Sequence, residues 1–271
     1  MLNDITIGQF FPGNSLIHRL DPRVKILLTV AYIAAVFVPV NWYGLGLAVL
    51  FLVTAVALSR LPVKLLWKSI KPILPIILFT ALLNMFYVGG GTVLWEWGIL
   101  KLTSKGLVNA AFLAVRIVCL IAGSSLLTYT TGPTTLTDAL ERLLGPLKVI
   151  RVPVHEIAMM MTIALRFIPT LVEETDKIMS AQKARGADME SGGLLQRIKA
   201  LVPVLIPLFV SSFRRAYELA MAMECRCYHG GEGRTRMKQL HMGLRDAAAV
   251  AVMLLLFTAM ILLNCWTAPV L

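Results

Sequence analysis

The sequence predicts an all-α membrane protein with about five transmembrane helices and about three further helices, two of them long, on the cytoplasmic face. Three observations carry that expectation. Hydrophobic residues make up 58% of the 271-residue chain and charged residues only 15%, against about 25% charged in ordinary globular domains. The apolar residues gather into runs that approach the roughly 20 needed to cross a ~30 Å hydrocarbon core. The net charge of +11 is what retention of basic residues on the cytoplasmic side of a bilayer produces.

Five runs read as spans: Val24 to Val40, Tyr43 to Leu58, Pro72 to Val88, Leu107 to Thr130 and Leu244 to Trp266. The 23 residues before the first run are polar and turn-rich, with Pro12, Gly13 and Pro22, so they lack the pattern of a cleaved signal peptide and the first run is expected to stay in the chain. Pro72 and Pro75 fall at a helix start, where a missing N–H is best tolerated. Between the fourth and fifth runs the texture changes to apolar stretches interrupted by charge. Helices are expected there over Leu136 to Leu144, Val154 to Arg185 and Leu194 to Cys227. The second has 32 residues, about 48 Å at 1.5 Å per residue, with a kink at Pro169. Its partner is interrupted by Pro203 and Pro207.

Apolar stretches within the two long helices, Ile157 to Val172 and Ala200 to Phe213, are themselves long enough to suggest spans. As a spanning hairpin they would carry Lys177, Lys183, Arg185, Arg197 and Lys199 across the membrane, which the positive-inside bias opposes. They are therefore assigned to the inner surface. The polar segments then alternate: Arg19, Arg23 and Lys25 inside, Asn41 to Tyr43 outside, Arg60 to Lys71 inside, Gly89 to Gly106 outside. The region from Thr131 to Arg245, with sixteen of the 26 basic residues, is inside. This gives a cytoplasmic N-terminus, an external C-terminus, and Trp42, Trp95, Trp97 and Trp266 near the outer interface, a level that suits amphipathic rings. The expected divisions are 1–131, 132–242 and 243–271.

Candidate chemistry is sparse. Cys225, Cys227 and His229 form a C-x-C-x-H cluster, which is not a usual zinc spacing and would point to different faces of a helix. The Gly-Gly-Glu-Gly-Arg-Thr run at Gly230 lacks the ending of a phosphate loop, and His155-Glu156 lacks the second histidine of a metalloprotease helix, Met standing at 159. No basic stripe interleaved with aromatics suggests nucleic acid. No catalytic residue, metal site or cofactor is expected, and the protein is not expected to be an enzyme. Arg116, inside the fourth run, is a functional candidate by default. Snorkelling, a structural hydrogen bond and a substrate path are its alternatives.

The most informative pattern is a repeat. Ala181-Gln-Lys-Ala184-Arg185-Gly186 ends one long helix, and Ala222-Met-Glu-Cys225-Arg226-Cys227 ends the other. Both place an arginine between small residues after a proline-containing amphipathic helix. Small neighbours admit a close partner surface, while arginine suits bidentate pairing with a carboxylate. Gly186 is a natural left-handed C-cap. Cys227 lacks that freedom, so the second cap is expected to be less defined.

Together with T-I-G-Q-F-F-P-G-N-S-L-I-H-R-L-D-P-R-V-K before the first span, L-R-F-I-P-T-L-V-E-E and E-L-A-M-A-M-E-C-R-C-Y, this repeat resembles the transmembrane coupling (T) component of energy-coupling-factor vitamin transporters. The resemblance extends over nearly the whole chain. It implies a non-catalytic scaffold of the bacterial cell membrane, in contact with the lipid bilayer. Its partners would be two cytoplasmic ATPase subunits, an EcfA-type heterodimer that binds the ATP, and a membrane substrate-binding (S) component. Ala184, Arg185, Gly186, Cys225, Arg226 and Cys227 would contact the ATPases, Cys225 and Cys227 standing where the family pattern has Ala and Gly. The alternative is a self-sufficient secondary transporter or channel.

Overall fold

The computed structural model describes residues 10–87, 92–97, 100–187, 193–231 and 240–266. The chain divides into two compact units, one over Thr137–Lys238 and the other formed by Gly8–Leu136 with Gln239–Leu271.

The second of these is a helix bundle. Its elements are α1 (Pro22–Phe37), α2 (Trp42–Ser59), α3 (Val63–Ile70), a 3-10 turn (Lys71–Ile73), α4 (Leu74–Tyr87), strands β1 (Val93–Trp97) and β2 (Leu100–Thr103), α5 (Ser104–Thr130) and α9 (Leu244–Trp266). The core joins Tyr32, Ala35 and Val36 of α1 to Ala48 and Leu52 of α2, Cys119 and Ala122 of α5, and Met253, Leu256 and Met260 of α9. Small residues recur at these contacts because, in lipid, helices associate by close van der Waals packing. Gly123 is the tightest case, since a Cβ there would lie 2.4 Å from the Tyr32 ring.

Polar ties fix helix directions at both ends of the bundle. At one end, the Asp21 N–H donates to Asp246 Oδ1 at 2.8 Å, and Lys25 Nζ donates to Thr130 O at 3.0 Å. At the other, Asn264 Nδ2 donates to Val38 O at 2.6 Å, Val40 N donates back to Asn264 Oδ1 at 3.2 Å, and Asn41 Nδ2 reaches Leu263 O at 3.2 Å. Thus α1 and α9 run parallel, start to start and end to end, while α5 runs against α1. This is the alternation that five successive spans require.

Three features differ from the expectations. The third apolar segment starts earlier than Pro72: Val63–Ile70 is already helical, with Leu66 buried and Lys64 and Lys68 exposed, so the basic stretch is one turn-by-turn amphipathic helix. Pro72 lies in the 3-10 turn that joins it to α4, and Val88 lies outside the described residues. The expected outer link contains an antiparallel hairpin, Val93 opposite Thr103 and Trp97 opposite Leu100, which short alternation around turn residues did not reveal. Finally, among the described residues five helical segments are long and apolar enough to cross a membrane, and they are Trp42–Ser59, Val63–Phe86, Ser104–Thr130, Val154–Ala184 and Leu244–Trp266. Length and apolarity alone thus admit the first long cytoplasmic candidate and omit α1, whose 16 residues extend only about 24 Å.

The other unit contains most of α6 (Pro133–Leu143), a 3-10 turn (Gly145–Ile150), α7 (Val154–Ala184) and α8 (Leu194–Glu224). Both long helices continue through their internal prolines, Pro169 in α7 and Pro203 and Pro207 in α8. His155 at the start of α7 bonds Glu141 of α6, Nδ1 to Oε1, at 3.0 Å, which gives the His-Glu dipeptide a structural partner.

Candidate functional site

The repeated motif forms the same structure twice. In the first copy the Gly186 N–H donates to Lys183 O at 3.0 Å and the Ala187 N–H donates to Gln182 O at 3.0 Å. In the second the Cys227 N–H donates to Glu224 O at 2.9 Å and the Tyr228 N–H donates to Met223 O at 3.1 Å. Each is a Schellman cap, in which the residue after the arginine adopts a left-handed conformation and the last carbonyls of the helix are satisfied. Gly186 has φ 85° and Cys227 has φ 54°. The expectation of a less defined second cap is therefore corrected: Cys227 takes the conformation that glycine takes in the first copy. The two cap hydrogen bonds hold the chain in the turn despite the side chain at 227, and the next residue, Tyr228, is half-buried with its hydroxyl donating to Met159 Sδ of α7 at 3.0 Å.

Ala184 and Cys225 sit just before the arginines, and Arg185, Gly186, Cys225, Arg226 and Cys227 are all exposed. Neither guanidinium has a hydrogen-bond or ion-pair partner among the described residues. No group of three or more His, Cys, Asp or Glu side chains that could hold a metal occurs among the described residues. Much of the glycine-rich run after Gly230 lies outside them.

The helices carrying the motif are antiparallel. Gln182 Nε2 donates to Pro203 O at 3.2 Å, Glu174 accepts from Ser211 Oγ and from Arg215 Nη2, the latter at 2.8 Å, and Tyr228 meets Met159. On this register Arg185 lies opposite the early part of α8 and Arg226 at the opposite end, about 35–40 Å away along the pair at 1.5 Å per residue. A shift of 41 residues, which carries Arg185 onto Arg226, also carries Glu174 onto Arg215. The two positions that the repeat makes equivalent therefore pair with each other at the crossing. The helix pair has approximate twofold symmetry, with one charge clamp at its axis and one capped arginine at each end. Sequence reading found the arginines but not this clamp; the signal was the same 41-residue shift, applied beyond the motif.

A second cluster went unrecognised. Asp21 accepts from Arg23 through Nε at 3.1 Å and Nη2 at 2.9 Å, Arg23 Nη2 also donates to Leu240 O at 2.9 Å, and buried Asp246 accepts from Gly243 N at 2.8 Å. Arg23 and Lys25, read only as topological charges, are thus structural bonds at the bundle end. Arg116 is structural in its contacts as well: it donates to Pro39 O, and its guanidinium lies 4.8 Å from the Phe112 ring centroid.

An α-helical bundle of helices long and apolar enough to cross a membrane, joined in one chain to a pair of cap-ended amphipathic helices, defines a multi-pass membrane protein. The chain belongs to the cobalt transport protein family, whose model matches residues 13–237. Among its relatives, an energy-coupling factor transporter transmembrane protein EcfT of Ruminiclostridium cellulolyticum is 54% identical over 264 residues, covering 97% of this chain and 98% of its own. That of Clostridium kluyveri is 54% identical over 267 residues, covering 98% and 99%. That of Bacillus subtilis is 47% identical over 256 residues, covering 94% and 97%.

Proposed function

We propose that this chain is the coupling scaffold of an energy-coupling-factor vitamin transporter of the bacterial cell membrane. In this reading α7 and α8 lie on the cytoplasmic face, within a segment 132–242 set between membrane segments 1–131 and 243–271, with the N-terminus cytoplasmic and the C-terminus outside. The observation that carries it is the identical capped arginine at both ends of a pseudo-twofold helix pair. One such pair offers two equal contacts about 35–40 Å apart, the demand made by a dimer of two related subunits. Arg185 and Arg226 each enter a groove of one ATPase and pair with acidic groups there, the small residues at 184, 186, 225 and 227 allowing the close approach. ATP is bound by those subunits, and the scaffold needs no cofactor of its own.

The face between the arginines supports the other contact. Leu205, Phe209, Phe213 and Tyr217 are exposed and four residues apart along α8, so they form one apolar stripe, with Phe209 and Phe213 ring centroids 5.8 Å apart. This stripe receives the membrane S component that captures the vitamin. Closure of the ATPases on ATP displaces the two arginine ends in opposite senses about the Glu174–Arg215 clamp, and the change in crossing angle reorients the S component. The test is uptake by proteoliposomes holding this chain, both ATPases and an S component. The paired change Arg185→Ala with Arg226→Ala abolishes ATP-driven uptake, and retained uptake sinks the mechanism.

A further inference from the structure

The bundle carries a half-open cleft of about 410 Å³ walled by α1, α2, α5, α9 and the turn that precedes α1. It extends from the end marked by Lys25, Thr130 and Arg245 to the level of Tyr32 and Met253, a depth of about 10–12 Å along helices that rise 1.5 Å per residue.

The walls ask for nothing polar. Thr29, Thr54 and Thr130 turn their hydroxyls onto the carbonyls of Lys25, Phe51 and Leu126, at 2.8, 2.7 and 2.7 Å. Tyr32 OH donates to Ala48 O at 3.4 Å. Lys25 lends only its methylenes, its ammonium being held by His18 O at 3.1 Å and Thr130 O at 3.0 Å. A half-open apolar cleft between membrane-length helices accepts an apolar guest. At about 30 Å³ per water- or methylene-sized group it takes roughly a dozen such groups, the greater part of a lipid chain. The exception among the lining residues is Arg245, which is exposed and has no hydrogen-bond or ion-pair partner among the described residues. An apolar slot between membrane helices with an uncommitted cation at its charged end matches an amphiphile with an anionic head.

We propose that this cleft holds one acyl chain of an anionic phospholipid whose phosphate is bound by Arg245. The lipid braces α1, α2, α5 and α9 where protein side chains leave a gap. The proposal is independent of how the cytoplasmic helices are coupled.

The experiment is native mass spectrometry of the full chain, purified in detergent and exchanged into micelles with equal amounts of dioleoyl phosphatidylglycerol and dioleoyl phosphatidylcholine. One retained phospholipid per chain is expected, with phosphatidylglycerol preferred about fivefold, the effect of one basic residue near an anionic headgroup. Arg245→Gln brings the preference to about one while a lipid is still retained. Ala249→Leu, and Ala55→Leu from the opposite wall, each reduce retention several-fold in the monodisperse fraction. If neither filling variant folds, the Arg245→Gln comparison decides alone. Absence of a retained lipid, an unchanged headgroup preference in Arg245→Gln, or undiminished retention in both folded filling variants overturns the proposal. Displacement of phosphatidylglycerol by an equal amount of sodium oleate overturns the assignment to a phospholipid.

Discussion

Replacing Cys227 with glycine is expected to stabilise the protein and leave transport unchanged. An L-residue in the left-handed region bears about 1–2 kcal/mol of steric strain, and Cys227 sits there at φ 54°. Glycine removes that strain but loses more backbone freedom on folding, a penalty of roughly 0.5–1 kcal/mol. The net gain is about 0.5–1 kcal/mol, or a Tm rise of about 1–4 °C for a chain of this size. Cys227→Val moves the other way, because a β-branched side chain tolerates positive φ least, and Gly186→Ala imposes on the first cap the strain that the second already bears. The measurement is thermal unfolding of the purified chain followed by tryptophan fluorescence, with uptake by the reconstituted complex in parallel. Uptake is retained in Cys227→Gly because the bonds that present Arg226 come from the backbone. A lower Tm, or a large loss of uptake, would show that the thiol makes a contact of its own and refute the reasoning.

Breaking the clamp with Glu174→Arg should destabilise the chain by about 1–2 kcal/mol, between the surface and buried limits for ion pairs, since the two side chains are 21% and 36% exposed. The swap Glu174→Arg with Arg215→Glu recovers part of both stability and uptake, and a swap no better than the single change would remove the clamp from the mechanism. Gly123→Ala drives a Cβ into the Tyr32 ring and is expected to cost about 1–3 kcal/mol, largely restored by Tyr32→Leu; a neutral Gly123→Ala in thermal unfolding contradicts the packing. The native thiols report sidedness: a membrane-impermeant maleimide labels exposed Cys265 from outside and exposed Cys225 and Cys227 from the cytoplasmic side, with the latter two protected once the ATPases bind. Labelling of Cys225 from outside would reverse the proposed topology.

Much of this was legible because apolar runs and repeats are local in the chain. The spans from Tyr43, Leu107 and Leu244 match helices closely, and the two arginines were found by comparing helix ends. What escaped were features made by residues distant in sequence. Asp246 reads as an ordinary acidic residue at a helix start until the Asp21 N–H is seen to donate to it from 225 positions away. The lysines at 64 and 68 read as a polar link because their charge outweighed the weaker helical spacing of Leu66. The hairpin beginning at Val93 is too short to show a period.

Taken alone, the sequence determined that this is a multi-pass membrane protein, that its basic residues concentrate in one long segment, and that this segment repeats a small-Arg-small motif. Composition, run length and repetition suffice for that, because a bilayer selects for length and apolarity. The tertiary structure decided that α7 and α8 are antiparallel, so that the two arginines stand at opposite ends and Glu174 meets Arg215 between them. It also decided that Cys227 adopts glycine's conformation. Backbone propensity argues against that geometry, which is held by the cap bonds of the Glu224 and Met223 carbonyls and is accompanied by the contact of Tyr228 on Met159 across 69 residues of chain.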